Sequence, residues 1–317
     1  GQLCSYAVGM KLVTPEGDRL EVTEEQPELL QALRTSFGML GIVYEVTFRI
    51  EPLKPLAFYH ESFSLDAFID RLPELQARDE AMMYYLFPFH DGVTVEFRRY
   101  REEGTPTDTR AWALRNVAQR TVGPGSARLI ERVVPKGKLR DVLLDTNLRL
   151  FQVLLNRQRS DDSVPADQVI RFPDRSGLGS FTFSLWAFPE DSFPDVLRAY
   201  FAFCKRHYTE HGYRTGMPSS GFRVSQDTSA LLSYSHAGPV MTIDPVSSGG
   251  AGWSQFMDAF NEFGHRNGGI PFFNHTPQLT AEQVEKAYGE RLETFRDVRE
   301  RMDPQNRCLN DYFAKLL

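Results

Sequence analysis

Residues 37–51 read FGMLGIVYEVTFRIE, and their pattern decides the fold. Gly38 and Gly41 punctuate the end of a short helical pattern, where glycine lets the backbone turn through positive φ or approach another group closely. After them Ile42, Tyr44, Val46 and Phe48 alternate with Val43, Glu45, Thr47 and Arg49. That period of two predicts a strand buried on at least one face. The preceding helix is expected over 27–34 (PELLQALR), with Pro27 suited to a first helical position and Leu29, Leu30 and Leu33 on the inner side. Further upstream, 8–22 (VGMKLVTPEGDRLEV) predicts a hairpin about Pro15-Glu16-Gly17-Asp18.

The chain has 317 residues, enough for two domains and a sizeable core. Its net charge of −6, with no basic stripe, argues against a nucleic-acid footprint. Cys4, Cys204 and Cys308 are scattered and make no C-x-x-C, so a disulfide framework is not expected and a reducing, cytoplasmic setting is. No apolar run approaches the roughly 20 residues that span a bilayer. The most lipid-like piece, 138–157 (KLRDVLLDTNLRLFQVLLNR), carries charges throughout. It reads as an amphipathic helix packed on the protein's own core, with peripheral membrane association as the alternative.

Pro52-Leu53-Lys54-Pro55 breaks regular structure and marks a domain boundary. Beyond it, strands at 56–63, 82–89 and 93–100 and a helix at 65–75 predict an antiparallel sheet with helices on one side. A polar loop is expected at 101–110, a mostly helical stretch over 111–157 interrupted at Gly123-Pro124-Gly125, and an exposed linker at 160–166. A second round follows, with strands at 180–188, 221–226, 230–234 and 240–243 and helices at 191–211 and 253–267. The last helix, 280–301, opens on the capping box Thr280-Ala281-Glu282-Gln283 and stops before Pro304.

The stretch 37–51, preceded by that hairpin, resembles the end of the FAD domain in flavoenzymes of the vanillyl-alcohol oxidase/PCMH type, whose pattern is G-x-x-G-I-V followed by a strand T/Y-x-V-T-x-x. The segment 301–313 (RMDPQNRCLNDYF) resembles the D-P-x-x-x-F-x-N-x-Y/F closing of aldonolactone oxidase-type members, with Cys308 in place of the usual aromatic. The resemblance implies an α+β fold in which 1–55 ends a PCMH-type FAD-binding domain. It makes 56–300 a substrate-binding cap with a large antiparallel sheet covered by helices, and 301–317 a tail returning to the FAD domain. The first FAD subdomain would lie upstream of Gly1. The implied cofactor is FAD, touched mainly through the backbone of Gly1, Gln2, Leu3, Cys4, Ser5, Gly38, Gly41, Ile42 and Val43. The implied reaction is oxidation of a hydroxyl on a sugar lactone, alditol or related polyol, with the electron acceptor open.

Such chemistry needs a proton acceptor and hydrogen-bonding groups beside the flavin. Ser220-Gly221-Phe222-Arg223 resembles the S-E-x-R strand of these oxidases, with Gly221 departing from the Glu and Arg223 matching the Arg. Asp244, ending the next strand in Thr242-Ile243-Asp244-Pro245, lies where the family places polar substrate contacts, although a turn role is equally open. Residues 271–275 (PFFNH) stand where the aldonolactone group carries P-H-W-G-K, with Phe272 at the His and His275 at the Lys. His275 and Asn274 thus become candidates beside Arg223 and Asp244. Two rivals come from other classes: a zinc peptidase using His207, Glu210 and His211 (H-x-x-E-H), and a non-catalytic binding remnant. The zinc motif lacks a third ligand in view and reads better as a solvated helix terminus, so no metal site is expected.

Overall fold

The computed structural model describes residues 2–52, 54–78, 80–100, 123–157, 160–165 and 181–317. The polar loop expected at 101–110, the start of the helical stretch at 111–122, Gly1 and Ala166 lie outside them. Strands β1 (Ala7–Val13) and β2 (Arg19–Thr23) form the expected hairpin, and β3 (Ile42–Phe48) joins it to give an antiparallel sheet in the order β2-β1-β3. Helix α1 (Pro27–Leu33) packs on it through Leu30 and Leu33. The strict alternation expected of β3 fails at one residue. Lys11 pairs with Glu45 and Leu12 with Val43, so Tyr44 has no ladder partner. That extra residue is a β-bulge. It lets both Val43 and Val46 pack against the core and leaves Ile42, Tyr44 and Phe48 exposed.

The larger sheet contains β4 (Pro55–Ser64), β5 (Ala81–Phe87), β6 (Gly92–Tyr100), β7 (Ser160–Pro165), β9 (Trp186–Pro189), β10 (Ser219–Val224), β11 (Val240–Ile243) and β13 (Ile270–Pro271). Its eight strands run β13-β9-β11-β10-β5-β6-β4-β7, every pair antiparallel. Two short strands, β8 (Thr182–Phe183) and β12 (Val246–Ser247), pair beside it. One face is covered by α2 (Leu65–Gln76), α5 (Phe193–His211) and α6 (Trp253–Arg266). Tyr84 of β5 lies against Phe68 of α2 and Phe193 of α5 on that side. Its neighbour Tyr85 points the other way and packs, with Phe87, against Leu148 and Leu155. Those leucines belong to α4 (Lys138–Arg157), which follows α3 (Gly123–Val133). Helices α7 (Ala281–Tyr288) and α8 (Glu290–Met302) lead to the C-terminal tail.

Several expected elements are corrected. The linker at 160–165 is an edge strand, because β4 would otherwise present an unpaired backbone. The break expected at Gly123-Pro124-Gly125 opens α3 instead, and the helical stretch is interrupted at 134–137. The strand over 180–188 divides into β8 and β9. Residues 230–234 are a turn, not a strand, since Arg291 Nη1 and Gln2 Nε2 bond the carbonyls and hydroxyls that a ladder would use or crowd. The helix expected at 280–301 divides at Gly289, whose φ of +52° ends α7, while its capping box at Thr280 forms as expected.

Gly221 has no room for any side chain. A Cβ there would sit 2.2 Å from both the Thr242 carbonyl oxygen and the Tyr84 ring. Gly38, at φ +84°, has nothing within 4 Å. Gly221→Ala is therefore expected to cost about 3 kcal/mol or more by overpacking, and Gly38→Ala only about 1 kcal/mol from its backbone conformation. Urea unfolding midpoints of the two variants check that order.

Candidate active site

In β11, Met241 and Ile243 face the helix-covered side, so Thr242 and, by alternation, Asp244 face the other. Pro245 cannot extend the ladder, and the strand ends in a bridge between Asp244 and Ser220, with N···O distances of 2.7 and 2.9 Å. Asp244 is 1% exposed, and its Oδ1 has no hydrogen-bond partner among the described residues. Burial pushes its carboxyl well above the ordinary range, against a smaller opposing contribution from the Thr242 hydroxyl. A buried carboxyl with an idle oxygen is costly unless it serves a function.

Tyr234 stands near it. Burial raises the Tyr234 phenol, and Asp244, Cys4 and Asp227 add to the shift. The Tyr234 ring meets Phe272 at 5.4 Å between centroids, and Phe272 meets the His275 ring at 5.4 Å. His275 also lies 4.3 Å from the Phe183 ring, and Asn274 Nδ2 is 3.5 Å from His275 Nε2. Burial lowers the His275 pKa, favouring the neutral ring. Two bonds to the Leu185 carbonyl fix this segment, from Phe272 N at 3.0 Å and Thr276 Oγ1 at 2.8 Å. The tail supplies a third, from the Tyr312 hydroxyl to the Thr276 carbonyl at 2.7 Å. Ser184 N bonds Pro245 O at 3.3 Å, tying the strand that carries Phe183 to the one that carries Asp244. Asp244, Asn274 and His275 therefore belong to one end of the sheet.

The N-terminal lead-in arrives at the same end. Gln2 Nε2 donates to Ser233 Oγ at 2.7 Å and Ser235 Oγ at 3.2 Å. The 3-10 turn Leu3–Tyr6 follows, with Cys4 Sγ 3.8 Å from Asp227 Oδ2 and Ser5 Oγ bonded to Gln2 O. The turn before β3 is strained: Thr35, Phe37, Gly38 and Gly41 all have positive φ. Two of these are not glycine, at about 1–3 kcal/mol each. Gly41 must be glycine, since a Cβ would lie 2.6 Å from Val13 O. Thr35 Oγ1 is buried without a partner among the described residues. Phe37 joins this turn to the 272–276 segment and the tail, with its ring 6.0, 5.6 and 5.7 Å from Phe272, Phe273 and Phe313. Gly38, Gly41, Ile42 and Val43 are thus linked through Phe37 to the loop carrying His275. Neither Thr35 nor Tyr234 stands out in the sequence, because a threonine before a glycine turn and a tyrosine in a serine-rich run carry no motif.

Arg223 is elsewhere. It shares the helix-covered face with Gly221, three residues and roughly 10 Å along β10 from Ser220. Its Nε donates to Glu190 Oε1 at 2.6 Å and its Nη1 to Gln76 O at 2.7 Å. With Tyr59, Arg78 and Arg98 it lines an open groove of about 1120 Å³. The Tyr84 ring occupies the space that a glutamate at 221 would need.

The zinc motif gains no third ligand among the described residues. His207 and His211 lie on one face of α5 with ring centroids 4.6 Å apart, but no group of three metal-ligating side chains occurs among the described residues. His207 is also not solvated: it is 3% exposed and packs on Phe203 and Phe256.

The model of the family described as D-arabinono-1,4-lactone oxidase matches residues 46–316. The chain belongs to this oxidoreductase family. An L-gulono-1,4-lactone dehydrogenase of Mycobacterium tuberculosis is 24% identical over 321 residues, covering 99% of this chain and 69% of that protein. An L-gulonolactone oxidase of Scyliorhinus torazame is 24% identical over 330 residues with the same coverages. Among solved structures, cholesterol oxidase from B. sterolicum superposes with a TM-score of 0.68 at 12% identity, over 100% of this chain and 70% of that one. 6-Hydroxy-D-nicotine oxidase from Arthrobacter nicotinovorans gives 0.54 at 15% identity, over 96% and 65%. These likenesses establish the PCMH-type flavoprotein oxidase fold. Among the described residues no helix is long and apolar enough to cross a membrane.

Asp244 makes the family member's stability depend on pH. Its folded pKa lies above the ordinary value of 3.8, so the folded protein binds more protons than the unfolded chain between the two values. Stability from this group is therefore full at low pH and lost as pH rises through that window. Asp244→Asn is expected to melt higher than wild type at pH 7–8, with the gap closing towards pH 4. Paired thermal scans across that range check it.

Proposed function

We propose that this protein is an FAD-dependent oxidoreductase that oxidises a hydroxyl of a sugar lactone or related polyol. The observation that carries the reading is the meeting, at one end of the sheet, of Asp244, Asn274 and His275 with the Gln2–Ser5 lead-in and the Phe37–Val43 turn. Family membership and the lactone substrates named for its relatives support the substrate class.

The residues present fit FAD. Thr35 Oγ1 and Asp244 Oδ1 are buried polar atoms without partners among the described residues, and the strained turn and exposed β3 offer backbone and surface to a flat, polar-edged group. In this reading residues 1–55 contribute the end of the cofactor domain, 56–300 the cap and 301–317 the returning tail. Gln2, Leu3, Cys4, Ser5, Gly38, Gly41, Ile42 and Val43 would hold the cofactor mainly through their backbone. Bound FAD supplies the two-electron acceptor for a C–H bond beside a hydroxyl. His275, kept neutral by burial, has a ring nitrogen to accept the hydroxyl proton. Asn274 donates its amide to a substrate oxygen and so orients it. Asp244, biased towards the neutral acid, donates a hydrogen bond where a carboxylate could not. Arg223, engaged with Glu190 and Gln76, braces β10 against α2 rather than touching substrate.

The test is the absorbance spectrum of the protein made from its complete reading frame, followed anaerobically on adding gulono- and arabinono-lactones and alditols. Flavin bands that bleach with a lactone are the expected result. A colourless protein that takes up no added FAD would sink the reading and favour a binding remnant. In the loaded enzyme, His275→Ala should lower kcat about 100-fold or more with the flavin spectrum retained. The acid limb of the wild-type rate should fall below pH 6.5, the ordinary histidine value, because burial lowers the pKa of His275.

A further inference from the structure

On β10 the side chains that share a face with Asp244 are not the ones the S-E-x-R pattern singles out. Ser220 bridges Asp244, and Arg223 lies opposite Met241. Between those pairs Phe222 lies opposite Thr242, and its N–H donates to Thr242 Oγ1 at 3.0 Å. Opposed residues of an antiparallel pair share a face. Gly221 and Arg223 therefore go with Met241 and Ile243 to the helix-covered side, and Ser220 and Phe222 go with Thr242 and Asp244 to the other.

Phe222 stands diagonally from Asp244, a separation of about 7–8 Å that an aromatic side chain spans. It is 36% exposed although β10 lies in the middle of the sheet. A large apolar side chain left open on a central strand, beside a buried carboxyl, suits the face of a ligand. Met83, opposite Phe222 on β5, extends the apolar floor. Arg98 Nη2 reaches Met83 Sδ at 3.5 Å and gives that end a charged rim.

The other end of the site is aromatic as well. Phe183 pairs with Val246, two residues past Asp244, and its ring lies 4.3 Å from that of His275. Phe181 continues the row, 6.2 Å from Phe183 between centroids and 43% exposed. Phe222 and Phe183 thus stand beside positions 242 and 246, roughly 13 Å apart along an extended chain, with Asp244 between them. Aromatic faces suit the C–H faces of a pyranose, whose hydroxyls project from its edge towards groups such as Ser220, Asn274 and Arg98. One sugar ring covers one platform, and two platforms this far apart fit two rings.

We propose that Phe222 and the Phe181–Phe183 pair flank the reacting centre, and that the substrate is a glycosylated lactone or alditol of disaccharide size with one ring stacked on each. The proposal rests on the reading of Asp244 and His275 as the reacting end of the sheet. Anaerobic flavin reduction in the FAD-loaded protein from the complete reading frame tests it, comparing sorbitol with maltitol and gluconolactone with cellobionolactone. The glycosylated member of a pair is expected to have the higher kcat/KM, by about tenfold, through a lower KM. Phe222→Ala and Phe181→Ala should each remove most of that gap, and Phe222→Tyr should keep it. Arg223→Ala, on the far face, should lower the melting temperature and leave the gap in place. A gap absent from the wild type, or one that survives both alanine variants, overturns the proposal. If neither pair reduces flavin, or no flavin is held, the redox reading fails, and calorimetric titration with methyl cellobioside and methyl glucoside decides the cleft separately. Tighter binding of the cellobioside, lost in Phe222→Ala, supports two platforms; equal binding, or none, overturns them.

Discussion

The placement of the candidate site depends on one buried indole. Trp186 of β9 is completely covered, and α6 can approach it only because residue 264 is glycine: a Cβ there would lie 2.3 Å from the ring. Gly269 makes a second such gap, 2.9 Å from Trp186 and 2.6 Å from Phe188. The indole N–H is satisfied by Asn261 Oδ1 at 3.1 Å, and the amide of Asn261 in turn reaches Pro277 O at 2.8 Å. This fixes the spacing of helix and sheet and the course of the chain leaving them, since Pro271 pairs with Trp186 itself. Asn274 and His275 are delivered by that course. The aromatic layer of Tyr200, Phe203, Phe256, Phe260 and Phe263 completes the packing behind it.

Local chemistry was readable wherever one residue type imposes one geometry. The hairpin at Pro15-Glu16-Gly17-Asp18, the capping box at Thr280 and the end of the helix expected at 191–211 were all legible. The alternation of β3 was legible only as far as the bulge at Tyr44, because a bulge is chosen by the partner strand. Residues 160–165 are poor strand formers, and they pair because β4 offers an open edge. The segment at 230–234 looked like a strand by composition, but its neighbours in space are Gln2 and Arg291, far away in sequence. Asp244, Asn274 and His275 could be named from the resemblance, yet their company with Tyr234 and Phe37 is tertiary and left no local trace. Arg223 shows the converse, a motif position whose side chain turns to a structural partner.

Family membership and geometry bear on different questions here. The family match fixes the kind of enzyme, while the departures at Gly221, Phe272 and His275 set this chain's polar groups apart from the pattern it resembles. The energetic cost is concentrated in the same region. The left-handed backbone at Thr35 and Phe37, the idle Thr35 hydroxyl and the buried Asp244 carboxyl each oppose folding, and all lie near the lead-in and the 272–276 segment. Proteins retain such groups where binding needs them, and the rest of the core must be stable enough to tolerate them.

The loop from 227 to 235 is held from three directions. Gln2 reaches Ser233 and Ser235, Gln31 and Arg34 reach the Thr228 and Ser229 carbonyls, and Arg291 reaches the Leu231 and Ser233 carbonyls. The first two sets join residues about 200 positions apart, and this has a consequence for birth on the ribosome. The β2-β1-β3 sheet can form once residue 48 has emerged, but its contacts with the loop must wait for residue 235. At ordinary synthesis rates that interval is roughly 10–40 s. Throughout it the lead-in and the strained turn are without the partners that hold them, and the exposed face of β3 stands ready for a wrong one. Nascent chains stalled between those two points are where a chaperone would be most needed.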